Sequence, residues 1–234
     1  MDIPTNARNR EVESSTSKVI VLGAAGFVGR HVARALNEQG LHVIGIGHGS
    51  WSKKDASSWG VSTWVKSDIG LAALNSLGLS EPPSAIIHCG GSGTVSSCYE
   101  RPLLDFQRTV QSTATVLEWI RLYGRGRCRF VLVSSAAVFG DCGDTDATES
   151  SPPSPISPYG YHKVAAEREC EAYSNFFDVP TSIVRLFSVY GEELRKQLLW
   201  DAVNKYDAGH KEFFGTGDEI RDWIHVEDAA DLLT

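Results

Sequence analysis

Tyr159 and Lys163 stand four positions apart in the stretch SPYGYHK, directly after a proline. On a helix, positions i and i+4 share one face, so both side chains can enter the same cleft. An ammonium close to a phenol favours the phenolate and lowers the tyrosine pKa. Such a tyrosine serves as a general acid or base near neutral pH. The spacing alone is common, and an aromatic and a charge on an ordinary helix would look the same. A second stretch adds to it. VLVSSAAVFG puts Ser134 and Ser135 at the C-terminal end of a buried strand, the edge where open α/β sheets bind ligands. A serine hydroxyl there can hold a substrate oxygen against the tyrosine. A strand-end cap is the simpler role, and it suits Ser134.

A third stretch supplies a site for an anion. GAAGFVG sets Gly23, Gly26 and Gly29 between an apolar run, KVIVLG, and a helical pattern that includes Phe27, Val28, Val32, Ala35 and Leu36. The first glycine permits a tight turn, the second lets amides approach a pyrophosphate, and the third lets the helix pack on the strand. A plain tight turn is the alternative, but the strand–turn–helix context is the one a dinucleotide site demands. The next strand, LHVIGIG, ends at Gly47, where an acid would bind the ribose 2′-hydroxyl of NAD. His48, Lys53 and Lys54 follow instead. A missing acid with cations after it favours NADP over NAD, although surface lysines usually face water. Asp68, with Ile69 beside it, follows the third strand; it can hydrogen-bond the adenine or cap the next turn.

These residues need a scaffold. STWVKSD (62–68), SAIIHC (84–89), RFVLVSS (129–135) and PTSIVRLF (180–187) read as further strands. LLDFQRTVQSTATVLEWIRLY (103–123) and PYGYHKVAAERECEAYSNFF (158–177) read as helices, the second with proline in its first turn. Strands alternating with helices predict an α/β fold, a doubly wound parallel sheet covered on both faces. DTDATESSPPSPIS (144–157) reads as a loop. Past Gly191 the pattern changes to a helix over 193–209 and then to short strands and a helix start that reaches Thr234.

Composition excludes several classes. The net charge is −7 across 234 residues, with no basic stripe, so nucleic acid is not expected as a partner. No apolar run has the length of a membrane span. The N-terminal stretch is polar and lacks the apolar core of a signal peptide. Five scattered cysteines form no C-x-x-C pair, which argues against a zinc site or a disulfide framework and for a cytoplasmic setting. His31, His42, His162, His210 and His225 show no ligand spacing, so no metal is expected.

The ordered set GAAGFVG, IIHCGG, VLVSSAAVFG, SPYGYHK, IVRLFSVYG and GTGDEIRDWIHVEDAA resembles the extended short-chain dehydrogenase/reductases, in particular the NAD-dependent epimerase/dehydratase group that acts on nucleotide sugars. The likeness runs from about Lys18 to Thr234. It implies a Rossmann-type domain over 18–190 and a partial, apparently truncated substrate lobe over 191–234, preceded by a disordered tail over 1–17. It implies Ser135, Tyr159 and Lys163 as the catalytic triad, Ser135 being chosen by its offset from Val138–Phe139–Gly140. The cofactor would lie on Gly23, Gly26, Phe27, Val28, Gly29, His48, Asp68, Ile69, Cys89, Gly90, Gly91, Ser134, Tyr159 and Lys163. Ser135, Ser188 and Arg221 would face the substrate, and a homodimer would form through the 103–123 and catalytic helices.

The chain departs from the pattern in informative ways. Ala136 and Ala137 stand where a 4,6-dehydratase carries an Asp-Glu pair, so elimination lacks proton carriers. Epimerase and keto-sugar reductase remain. HCGG replaces H-x-A-[AG], with glycines that let a cofactor come close, and Thr109 and Ser188 replace frequent asparagines, which points away from the common UDP-hexoses. A silent NAD(P)-binding sensor or assembly protein, or a reductase of a non-nucleotide carbonyl, are the competing readings.

Overall fold

Apolar, β-branched runs of four to seven residues form one parallel sheet. The computed structural model describes residues 17–234 apart from 94, 125, 144, 213, 214 and 219. The polar segment expected as a tail lies outside the described residues except for Ser17. Strands β1 (Lys18–Leu22), β2 (His42–Gly47), β3 (Thr63–Lys66), β4 (Ala85–His88), β5 (Arg129–Ser135) and β6 (Thr181–Leu186) line up in the order β3-β2-β1-β4-β5-β6. All five pairings are parallel. The chain reverses direction across the sheet between β1 and β4. Ligands of such sheets bind at this switch point, outside the carboxyl ends. The glycine loop leaves β1 and the Cys-Gly-Gly stretch leaves β4, so the two loops flank the crevice.

Helices α1 (Phe27–Glu38), α2 (Lys53–Ser58), α3 (Leu71–Ser76), α4 (Val95–Glu100), α5 (Pro102–Phe106), α6 (Ser112–Tyr123) and α7 (Pro158–Phe177) cover both faces. Alternate residues of a strand point to opposite faces. Val19 and Val21 of β1 accordingly join Val32, Ala33 and Leu36 of α1, while Ile20 and Leu22 join Leu117 and Ile120 of α6 and Ala166 of α7.

The expected 103–123 helix is interrupted. Gln107–Gln111 forms a π-helical turn between α5 and α6. Ser112 Oγ donates to Arg108 O, Thr113 Oγ1 to Thr109 O and Thr115 Oγ1 to Gln111 O. Hydroxyls that bond back to carbonyls one turn earlier disturb the helical ladder. Such π turns often sit at functional sites.

Beyond β6, strand β7 (Ser188–Tyr190) pairs in parallel with β8 (Trp223–His225). The expected helix from Glu193 begins only as α8 (Gln197–Asp207), because Glu193 and Gln197 both hold left-handed backbone, at φ 67° and 71°. Helix α9 (Val226–Leu232) then packs on α1. Its Val226, Ala229 and Ala230, with Leu233, belong to the core cluster of β1 and α1. The end of the segment expected as a separate lobe is therefore part of the main core. Its apolar i, i+3, i+4, i+7 stripe finds α1 as a partner.

Candidate active site

Two cavities meet over the glycine loop. The larger, of about 800 Å³, runs from Gly23 and Gly26 past Gly47, His48, Asp68 and Ile69 to Arg108 and Thr115. The smaller, of about 240 Å³, is lined by Phe27, Val28, Ser134, Ser135, Tyr159 and Lys163. Gly26, Cys89, Gly90 and Gly91 line both. A dinucleotide has this shape: two nucleoside halves on either side of a pyrophosphate. Gly26 caps α1 without any side-chain hydrogen bond, which leaves the first-turn amides and the positive end of the dipole for an anion. Gly23 has φ +77°, and a Cβ there would stand 2.9 Å from Gly90 N. A Cβ on Gly29 would meet Gly23 O at 2.3 Å, so the helix could not approach the strand. The residues present fit a nicotinamide dinucleotide.

His88 holds the second loop in place. Gly90 N donates to His88 Nδ1 at 3.2 Å, so Nε2 carries the ring proton and contacts Ser112 Oγ at 2.9 Å. Burial, with the Lys163 charge acting in the same direction, lowers its pKa to about 3, and the ring is neutral. Sequence reading noted HCGG for its glycines and missed this role. Cys89 is half-buried on the wall shared by the two cavities, and burial pushes its thiol up to about 12, so it stays protonated.

Helix α7, which carries Tyr159 and Lys163, is set by its first turn. Ser157 caps α7 by accepting from Gly160 N at 3.2 Å, and Pro158 fills its first turn. A Cβ on Gly160 would lie 2.4 Å from Ala137 O, so a larger residue would push α7 away from the turn after β5. Tyr159 is half-buried and hydrogen-bonded to Ser135, whose Oγ also accepts from Ala137 N at 3.2 Å. Lys163 is buried, and its Nζ donates to Val133 O at 2.8 Å and lies 5.8 Å from the Tyr159 ring centroid. Burial brings Lys163 down to about 8, against the opposing pull of Asp105.

The expected effect of Lys163 on Tyr159 is corrected by this geometry. Burial pushes the Tyr159 phenol up, the Ser135 hydrogen bond opposes that, and Asp105 and Cys98 add to the rise. The lysine is committed to the carbonyl of Val133 and is not at the phenol oxygen.

Other expected residues fall in distinct places. Ser134 turns its hydroxyl to Glu167, which also takes a two-pronged bond from Arg185. Its side chain ties β5 to α7, as a strand-end role requires, and its backbone borders the smaller cavity. Ser188 begins β7 and donates its N–H to Asp222 O, while its neighbours Phe187 and Val189 reach the cavity. Arg221 is exposed and lines neither cavity, since residues 208–222 form no helix or strand among the described residues. Thr109 is buried and points its hydroxyl to Asp105, not into open space. Lys196 and Gln197, which sequence reading did not single out, line the smaller cavity. Lys196 Nζ donates to Gly93 O at 3.2 Å, and burial lowers its pKa.

The lysines behind the NADP expectation are also placed. Lys53 and Lys54 open α2, are exposed, and do not line the larger cavity. Asp68 does line it, and bonds His48 Nε2 at 2.7 Å. The lysines that suggested a 2′-phosphate do not reach the cavity, and the preference for NADP is not supported.

A family model described as the NAD dependent epimerase/dehydratase family matches residues 19–234. The chain belongs to that family. Its fold and motifs are those of the extended short-chain dehydrogenase/reductases, and it is an NAD-dependent enzyme of that type. It is 29% identical to an uncharacterized UDP-glucose epimerase, YtcB, of Bacillus subtilis (strain 168), over 93% of this chain and 71% of the relative. It is 28% identical to a UDP-glucose 4-epimerase of Azospirillum brasilense, over 93% of this chain and 67% of the relative. Its fold superposes with TM-score 0.80 on UDP-glucuronic acid 4-epimerase from Bacillus cereus, solved with UDP-glucuronic acid and NAD, at 25% identity over 91% of this chain and 70% of that one. Within this family Ala136 and Ala137 matter for what they lack. They form a 3₁₀ turn after Ser135 and offer no acid or base for water loss.

Proposed function

We propose that this protein is an NAD-dependent nucleotide-sugar 4-epimerase acting on a UDP-sugar, with Tyr159 as its acid/base. The observation that carries the reading is the position of Ser135, Tyr159 and Lys163 on the wall of the smaller cavity, next to the glycine loop. The names of the relatives and the NAD in the neighbouring complex support the choice of reaction and cofactor.

Bound across both cavities, the dinucleotide supplies the hydride acceptor and then the hydride donor. Tyr159 would take the proton from the C4 hydroxyl, and Ser135 would orient that oxygen. The buried Lys163 cation, bonded to Val133 O, sits where the nicotinamide ribose would lie and would hold the ribose hydroxyls. The resulting 4-keto sugar turns over in the cavity. Tyr159 would return the proton to the same oxygen once the sugar presents its other face. The cycle is redox-neutral, so no external reductant is needed. Glycine-loop amides, Phe27, Val28, Gly90 and Gly91 would hold the cofactor, with His48, Asp68 and Ile69 on the adenosine side. Ser188, between Phe187 and Val189 of the smaller cavity, would serve the substrate with Lys196 and Gln197, whereas Arg221, which lines neither cavity, is left without that role. Exposed Leu103, Phe106 and Tyr161 on α5 and α7 suit a homodimer through those helices.

The protein purified without added cofactor, then denatured, is expected to release NAD, identified by mass and absorbance. The emptied protein should bind NAD at least about tenfold more tightly than NADP, because Lys53 and Lys54 lie outside the cavity and cannot pair with a 2′-phosphate. Release of NADP, or tighter binding of it, would favour a keto-reductase. Failure to bind either would remove the enzyme reading.

A further inference from the structure

Between the two catalytic residues of α7 stands His162, and its Nδ1 is bonded to Asp105 Oδ2. Asp105 belongs to α5 and is 57 positions away in the chain. Its carboxylate is fully buried, while the His162 side chain is 19% exposed. The same carboxylate accepts from Thr109 Oγ1 at 3.4 Å and is hydrogen-bonded to Ser92 and Cys98. Burial works to raise its pKa, but the bonds from His162, Ser92 and Cys98 outweigh that and keep it below the usual carboxylate range. A charged carboxylate is thus built in beneath the catalytic helix. The Phe106 ring stacks edge-on against His162 and fixes the imidazole from the α5 side.

The other titratable groups around this spot are few. From α7 come Tyr159, Lys163 and Glu167; from the end of β4, His88 and Cys89; from α4, Cys98. His88 is neutral and the thiols of Cys89 and Cys98 are protonated. Glu167 is paired with Arg185 and acts on Lys163 more weakly than Asp105 does. Asp105 leads the charge effects of neighbouring groups on both Tyr159 and Lys163.

We propose that Asp105, anchored by His162, is a positioning residue that seats the catalytic helix and presents one buried negative charge to Tyr159 and Lys163 together. The proposal rests on the reading of Tyr159 as the acid/base. A negative charge holds protons on both groups, so its removal lowers both proton affinities in the same direction. A purely structural contact would lower activity without moving either titration.

The test is a tyrosinate titration by ultraviolet difference absorbance on the full chain without cofactor, with the same protein carrying Tyr159→Phe subtracted. In Asp105→Asn the Tyr159 midpoint is expected to fall by at least about half a pH unit. Both limbs of the pH–rate profile with NAD and UDP-glucose should slide to lower pH. His162→Phe keeps the ring contact with Phe106 but loses the N–H on Asp105, so its midpoint should rise. This second variant keeps the test alive if Asp105→Asn does not fold. Midpoints that stay in place in the folded variants would overturn the proposal. If Tyr159→Phe turned over like the parent, the reading of Tyr159 would fail instead, whatever the Asp105 variants did.

Discussion

Replacing Tyr159 with phenylalanine is expected to cut turnover of a UDP-sugar by about 10³-fold, the size of a lost general acid/base. The aromatic ring keeps its place at the start of α7, where Ser157 and Pro158 set the helix. Only the phenol oxygen bonded to Ser135 is lost. NAD binding should therefore change by less than about tenfold, since the loop amides and Asp68 are untouched. A deep loss in kcat with little change in cofactor affinity would mark a group that acts in the transition state. Equal activity would move the acid/base elsewhere. Parallel loss of NAD binding would make Tyr159 a binding residue instead.

Lys163→Met should lower turnover by about 10²-fold and weaken NAD, because the buried cation on the wall of the smaller cavity, where the nicotinamide ribose would lie, is gone. Its effect on stability is more specific. The lysine is buried, bonded to Val133 O, and has its pKa lowered from 10.5 to about 8. Between those values the unfolded chain binds a proton that the folded chain has released. Stability therefore rises with pH across this window, by up to about 3 kcal/mol. Below pH 8 both states are protonated, and the burial penalty is fully present. The buried thiols of Cys128 and Cys170, pushed up from 9.0 to about 12, act in the opposite sense above pH 9. The difference between parent and variant isolates the lysine. Denaturant unfolding at several pH values should show the parent gaining on Lys163→Met from pH 8 to 10.5. A constant difference would mean that Lys163 is not buried as a charge.

The scaffold was legible because its signals are local. KVIVLG before GAAGFVG, and SPYGYHK with its proline, carry their own geometry: a tight turn at Gly23 and a capped helix at Ser157. Periodicity gave the other strands and the catalytic helix for the same reason. The pattern 193–209 ran too long because nothing in its residue types reveals the left-handed backbone at Glu193 and Gln197. The placement of α9 against α1 depends on a contact between the two ends of the chain, which no local pattern carries.

The electrostatics of the site were the least legible. The Tyr159 phenol is pushed up first by its burial, and Lys163 leans away to Val133 O, neither of which the Tyr-to-Lys spacing carries. The nucleotide preference depends on which side chains face the cavity. Lys53 and Lys54 are close in sequence, but α2 carries them away, whereas Asp68 arrives from the end of β3. Asp105 could not be connected with His162 from sequence, since α5 and α7 bring the two together only in the folded chain.

The most direct measurement is a turnover in D₂O with NAD and a UDP-hexose, followed by proton NMR of the sugar. A 4-epimerase that passes hydride from C4 to the cofactor and back should yield the C4 epimer with its original hydrogen at C4 and no net reduced cofactor. Deuterium at C4 would mean proton abstraction from carbon rather than hydride transfer. Accumulated keto sugar with reduced cofactor, or no epimer from any UDP-sugar offered, would contradict the proposed reaction.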